Sequence, residues 1–133
     1  MVIVEGHGLP IALSLHEAAK HEVTLAFALS RKCLTRKKPE RIIGDKAYDS
    51  DTLDAELAAV GIEMIAAHRK NRKKKRTQDG RKLRRQKRRW CVERYFAWLH
   101  NFRRLPIRYE RKSKNYFAFV LLATAIIYVK YLF

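Results

Sequence analysis

Between Arg69 and Lys114 the chain carries 21 lysines and arginines against three acids, Asp79, Glu93 and Glu110. That net +18 accounts for the whole formal charge of +17; the remainder, with nine basic residues and ten acids, is close to neutral. A segment of this kind cannot be buried all round, because lysine and arginine leave water only when paired. Trp90, Tyr95, Phe96, Trp98 and Phe102 interleave with the cations, and a merely solvated tail does not need five aromatics. One face of the segment is therefore expected to pack and the other to meet a partner dense in negative charge, with a nucleic-acid backbone the first candidate.

The 133 residues are one domain's worth, and at 47% hydrophobic they can bury a core. Cys33 and Cys91 have no metal-binding spacing and do not suggest a disulfide scaffold; reduced thiols in a cytosol are the simpler reading. The start, MVIVEGHGLP, lacks the basic opening of a signal peptide. Tyr116–Phe133 is an apolar run of 18 residues whose one charge is Lys130. Its length is marginal for a membrane span, and a buried helix with aromatic ends is the favoured alternative.

Val2–Val4 and Leu9–Leu15 flank Glu5-Gly6-His7-Gly8 and predict a hairpin, with Pro10 at a strand start or on an edge. His16–Leu34 suits a helix. Arg36–Glu40 is a charged link, and Arg41–Gly44 a short buried strand ending at Asp45. Asp49, Ser50 and Asp51 are N-cap residues for a helix over Thr52–Val60, with Gly61 its stop. Ile62–Ala67 is the next strand, Lys70–Gly80 a basic loop with a turn signal at Asp79-Gly80. A long helix over Lys82–Arg104 stops before Pro106, and a last helix starts at Lys112 or Ser113. This order argues for an α/β sheet with helices packed on it. The chain opens directly on apolar strands, so either the hairpin is an edge or a preceding strand is absent.

Two acids stand out. Asp45 follows a buried strand, where open α/β sheets hold ligands, and its oxygens suit a hard cation; turn and cap chemistry explains it and its neighbours Asp49 and Asp51 as well. Glu93 lies on the helical face of Arg89, Ala97, His100 and Arg104, nearly opposite the stripe of Cys91, Tyr95, Trp98 and Phe102. It either faces a cleft or is a solvated acid paired with Arg89. Together, the two carboxylates could share divalent cations at a phosphorus centre. The cationic strip beside them, with Arg69, Lys70, Arg72, Lys73, Arg84, Arg85, Arg88 and Arg89, would hold a phosphodiester backbone. His16 and His21 are five apart, a poor spacing for shared metal ligation on a helix.

The blocks GDKAYDSDTLDAEL from Gly44 and IAAHRKNRKKKRTQDGRKLRRQKRRWCVERYFAWLHNFRRLPIRYER from Ile65 closely resemble bacterial insertion-sequence transposases of the DDE type, insertion-sequence-five family. VEGHGLPIALSLHEAAKHE near the start resembles that family's second and third strands. The resemblance covers nearly all of the chain. It implies a ribonuclease-H-like fold, a mixed sheet flanked by helices, as a single catalytic domain over 1–133 whose 69–89 region is a basic loop and helix start and whose 115–133 region is a closing apolar helix. It implies catalytic, metal-holding roles for Asp45 and Glu93, with Mg²⁺ or Mn²⁺ serving nicking and strand transfer. It places Arg94, Arg103, Arg104 and Arg108 on DNA phosphates and leaves Trp98 and Phe102 to pack. Implied partners are double-stranded DNA at element ends and target, in the cytoplasm at the nucleoid, with at least a dimer when complete. The family's first catalytic Asp lies on a strand upstream of Val4, and Glu5, Glu17, Glu22 and Glu40 do not match it. The expectation is a domain incomplete at its N-terminus and inactive alone, either completed by an upstream-frame product or a DNA-binding remnant; a basic membrane-associated protein is the remaining alternative.

Overall fold

The computed structural model describes residues 1–17, 19–35, 37–73, 75 and 80–132, without the side chains of Arg81, Lys82 and Leu132. The turn expected at Asp79-Gly80 and the cations Lys74 and Arg76 therefore lie outside the described residues or at their edge.

Strand β1 (Val2–Val4) pairs antiparallel with β2 (Pro10–Leu13), Val2 opposite Leu13 and Ile3 opposite Ala12, with a bulge before Val4. Glu5 closes the hairpin with its own carboxylate, which accepts the backbone N–H of His7 at 2.8 Å and of Leu9 at 3.2 Å. Helix α1 (Glu22–Ser30) follows. It is shorter than the helix expected over His16–Leu34. Ser30 turns its hydroxyl back to the Phe27 carbonyl at 2.7 Å, and the Leu34 N–H has already left to bond the Ile11 carbonyl at 2.9 Å. A tertiary hydrogen bond to the hairpin thus overrides local helix periodicity.

Strand β3 (Arg41–Ile43), helix α2 (Asp51–Ala59) and strand β4 (Glu63–Ile65) form a parallel β–α–β unit, Ile42 opposite Met64. The caps of α2 are those its sequence asks for. Ser50 accepts the Leu53 N–H, and the helix ends in a Schellman turn, with Ile62 N–H to Leu57 O at 2.9 Å, Gly61 N–H to Ala58 O at 3.0 Å and Gly61 at φ 79°. Leu53, Leu57, Ile62, Met64 and Ala66 make the core of this unit. Each fully buried aliphatic side chain there contributes about 1.5–3 kcal/mol.

The long helix expected over Lys82–Arg104 is broken. Helix α3 (Gly80–Leu83) runs into a 3-10 turn over Arg84–Arg89 before α4 (Trp90–His100) begins. Five of the six residues of that turn are cations, and in an α-helix Arg84 and Arg88, or Arg85 and Arg89, would be like-charge neighbours. The Gln86 amide also donates to the Gly44 carbonyl at 3.1 Å, which ties the turn to the end of β3. Helix α4 stops at His100, four residues before the expected end. Helix α5 (Ser113–Leu132) starts where expected. Tyr95 is fully buried between α4 and α5, its hydroxyl 2.7 Å from Thr124 Oγ1, in a second core with Leu9, Leu99, Leu105, Ala123 and Ile127. The Tyr128 hydroxyl donates to the Pro10 carbonyl at 2.6 Å, joining α5 to the hairpin.

The architecture is of the mixed α/β kind expected, and two details differ from expectation. The strands pair, among the described residues, as two separate two-stranded sheets and not as one mixed sheet. Helix α5 is buried along one face only, and Leu121, Leu122, Ile126 and Val129 are exposed on the other. No helix among the described residues is long and apolar enough to cross a membrane.

Candidate functional site

The two sheets do not touch edge to edge. A cleft of about 740 Å³ lies between them, lined by all three residues of β1 and all three of β3. Strand β1 thus has β2 on one side and the cleft on the other, and β3 stands between β4 and the cleft. Asp45 sits at the carboxyl end of β3 on the cleft wall, and Arg85, Arg88 and Arg89 of the 3-10 turn line the same space with Cys91, Val92 and Phe96 of α4.

Asp45 is held where it is by the backbone around it. Its carboxylate accepts the Ala47 N–H at 2.8 Å, capping a 3-10 turn over Lys46–Tyr48. Gly44 just before it leaves no free room for a side chain: a Cβ there would come 2.6 Å from Met64 Cε and 2.9 Å from Tyr48 Cδ2, so the Tyr48 ring and the Met64 tip would have to shift. The Tyr48 hydroxyl donates to Glu22 of α1 at 2.8 Å, and burial together with that carboxylate pushes the phenol well above its ordinary value.

Glu93 does not line the cleft. Its side chain is 70% exposed and stands 4.0 Å from Arg89, the i,i+4 neighbour. The described residues contain no group of three His, Cys, Asp or Glu side chains placed to hold a metal ion. The structure therefore brings Asp45 and the basic turn to one cleft and sets Glu93 on the adjoining helix.

The cations of the basic run divide in two. Arg69 donates through Nε to the Lys46 carbonyl at 3.1 Å and through its terminal nitrogen to the Ala47 carbonyl at 2.8 Å. Arg72 reaches Asp49 at 2.8 Å and Asp51 at 2.6 Å. Asp49 also meets His68 Nδ1 and the Arg69 N–H, each at 2.8 Å, and is only 5% exposed. Burial alone would raise the Asp49 carboxyl, but the Arg69 N–H, the His68 ring and the Arg72 charge outweigh it and hold the group below its ordinary range. Beside it, burial and the charges of Asp51 and Asp49 push Asp54 upward. Arg94 is fastened as well, donating to the His7 carbonyl at 3.2 Å with its guanidinium 4.2 Å from the Trp90 ring centre. Arg104 pairs with Glu110 at 3.7 Å, and Arg108 bonds the Glu110 and Arg111 carbonyls. Lys70, Lys73, Arg84, Arg85, Arg88, Arg89 and Arg103 are exposed.

In sequence Asp49 looks like one of several cap residues, and nothing local shows this latch. Its partners lie 19 to 23 residues away, beyond any local pattern. The signal that could have found it is the pairing of a DxD step at Asp49 and Asp51 with a histidine and two arginines following the next strand.

The family described as Transposase DDE domain matches residues 1–128. A protein assigned as the transposase of insertion sequence element IS402 in Burkholderia cepacia is 34% identical over 134 residues, covering 95% of this chain and 60% of that protein. The chain thus spans about 60% of that relative's length. No solved structure matches the chain.

Proposed function

Because the chain belongs to the Transposase DDE domain family, we propose that it supplies the second carboxylate, the glutamate and much of the DNA-holding surface of an insertion-sequence transposase. The observation that carries this reading is the placement of Asp45 at the carboxyl end of β3, on the wall of a cleft shared with Arg85, Arg88 and Arg89. Ligands of open α/β sheets lie at that end of the strands, and the arginines offer charge for a phosphodiester beside the acid.

Asp45 and Glu93 are the residues proposed to hold Mg²⁺ or Mn²⁺. Hard carboxylate oxygens fit such an ion in kind. In number and in placement they fall short of a two-metal site, because Glu93 stands outside the Asp45 cleft, so a further acid and an approach of Glu93 are required. An ion held there would supply Lewis-acid activation of water or a DNA 3′-hydroxyl at phosphorus. The contribution of this chain is orientation: the Ala47 N–H fixes the Asp45 carboxylate, and Gln86 ties the basic turn to Gly44 beside it.

The remaining acid is proposed to come on an extended strand from the upstream part of the transposase, seated in the cleft between β1 and β3. Two strands that each present their second edge to one cleft are a template for a strand between them. Such a strand would turn two small sheets into one mixed sheet of the ribonuclease-H-like kind. On this reading the chain alone binds DNA without cutting it, and the complete enzyme works at paired element ends as at least a dimer.

In the complete transposase, Asp45→Asn and Glu93→Gln are each expected to abolish metal-dependent nicking while leaving DNA affinity within a few-fold. Full nicking by Glu93→Gln would remove that residue from the site. For the 133-residue chain, six to ten phosphate contacts predict a loss of roughly 10³–10⁵ in duplex affinity between 50 and 200 mM salt. Salt-independent binding would contradict a backbone-dominated mode.

A further inference from the structure

The connection between α4 and α5 is built inside out. Leu105 is buried, and its carbonyl accepts the Tyr116 hydroxyl at 3.0 Å. Arg108 turns onto its own backbone, donating through Nε to the Glu110 carbonyl at 3.0 Å and through its terminal nitrogen to the Arg111 carbonyl at 3.4 Å, with its guanidinium 5.4 Å from the Tyr116 ring centre. Glu110 tucks beside Arg104, and its side chain is only 10% exposed. Of the polar side chains, Glu110 is thus tucked in and Arg108, though exposed, is engaged with its own backbone. The apolar ones point out: Ile107 is 60% exposed and Tyr109 70%.

Single exposed apolar side chains are ordinary. Here, however, two of them share one tip. Hydrogen bonds fasten the loop on both sides of them, from the Tyr116 hydroxyl to Leu105 and from Arg108 to the Glu110 and Arg111 carbonyls. The surroundings are cationic: Arg103, Arg104, Arg108, Arg111 and Lys112 flank the tip, and Glu110, the one acid between Arg103 and Lys112, is folded away. A partner for such a surface needs a flat apolar face set among anions. DNA offers that where a base step opens, with stacking faces between phosphates.

We propose that the Ile107–Tyr109 tip is a base-contacting wedge, with Tyr109 stacking on an unpaired or unstacked base and Ile107 filling the gap beside it. The proposal rests on the reading that this chain binds DNA, and it adds a contact to the bases where the arginines supply contacts to phosphate.

The test compares two duplexes of one sequence, one fully paired and one carrying a single unpaired base, each titrated with the 133-residue chain at fixed salt. The wild-type chain is expected to bind the second duplex roughly 5- to 150-fold more tightly, the range of one base–aromatic stack. Tyr109→Ala should erase that preference and leave paired-duplex affinity and salt slope unchanged, whereas Tyr109→Phe should keep it. Because Tyr109 is exposed, both variants should give the wild-type circular dichroism spectrum. Equal affinity for the two duplexes, or a preference that survives Tyr109→Ala, overturns the wedge while leaving DNA binding intact. Absence of salt-dependent binding to either duplex overturns the wedge and the parent reading together. Tyr109-dependent sedimentation with phosphatidylserine vesicles, with the base preference unaffected by Tyr109→Ala, would reassign the tip to an anionic membrane surface.

Discussion

Two parts of one basic run use arginine in opposite ways. Around Asp49, Arg69 and Arg72 are consumed by carbonyls and carboxylates, and Arg72 is 10% exposed. In the turn over Arg84–Arg89, the arginines are exposed, and Arg85, Arg88 and Arg89 line a cleft. The difference is the supply of acceptors. The first group lies opposite a loop whose Asp49, Asp51 and backbone carbonyls need donors; the second projects from a turn with cations on every side but Gln86. Net charge along a sequence therefore measures attraction to a polyanion in aggregate and does not say which cations deliver it.

The contrast makes a sharp demand on DNA binding. Replacing Arg84, Arg85 and Arg88 together by alanine should lower the salt slope by about 2.7, which shrinks the affinity lost between 50 and 200 mM salt by about 40-fold. Stability should hardly change, because such side chains contribute little to folding when exposed. Replacing Arg69 and Arg72 should do the reverse, lowering thermal stability with little effect on the slope. If both triple and double variants shift the slope alike, the division drawn from the hydrogen bonds fails.

The latch can be broken from its other side. Asp49→Ala removes the acceptor shared by the Arg69 N–H, the His68 ring and Arg72. Losing hydrogen bonds of this charged kind costs about 1–3 kcal/mol, measurable as a drop in the urea midpoint at unchanged m-value. The same variant in the complete transposase should lower activity through the loop that carries Asp45, and Asp49→Asn, which keeps an acceptor, should recover part of the stability. An Asp49→Ala chain as stable as wild type would show that the latch is decoration on an already rigid loop.

What was legible in the sequence was local. Ser50 and Gly61 bounded α2 because cap chemistry is short-range, and the apolar runs on either side of a turn with two glycines gave the hairpin. The blocks around Asp45 and Glu93 carried the family. What the sequence hid was set by distance. Leu34 leaves its helix for Ile11, Gln86 reaches back to Gly44, and Asp49 waits for His68 and Arg72. Glu93 stood between two readings, a cleft acid or a solvated acid paired with Arg89, because a helical wheel gives a face and not what the face meets; the structure pairs it with Arg89.

The subtlest separation lies within the latch itself, between two aspartates five residues apart that titrate in opposite senses. Asp49 is held below its ordinary value of 3.8 despite burial, by the Arg69 N–H, His68 and Arg72. A depressed group contributes stability above its unfolded pKa and loses it as pH falls through the folded value, so the Asp49 contribution should fade below pH 3.8. Asp54 is raised above the same 3.8, first by burial and then by Asp51 and Asp49. Its contribution is fully present below pH 3.8 and is lost as pH rises through the folded value. Urea titrations at several pH values should therefore find Asp49→Asn destabilised near neutrality and converging on wild type in acid. Asp54→Asn, relieved of a buried charge beside two others, should match or exceed wild type near neutrality and lose that margin in acid. Curves for the two variants that run parallel across the range would mean that the carboxylates are screened by water and that the latch works through geometry alone.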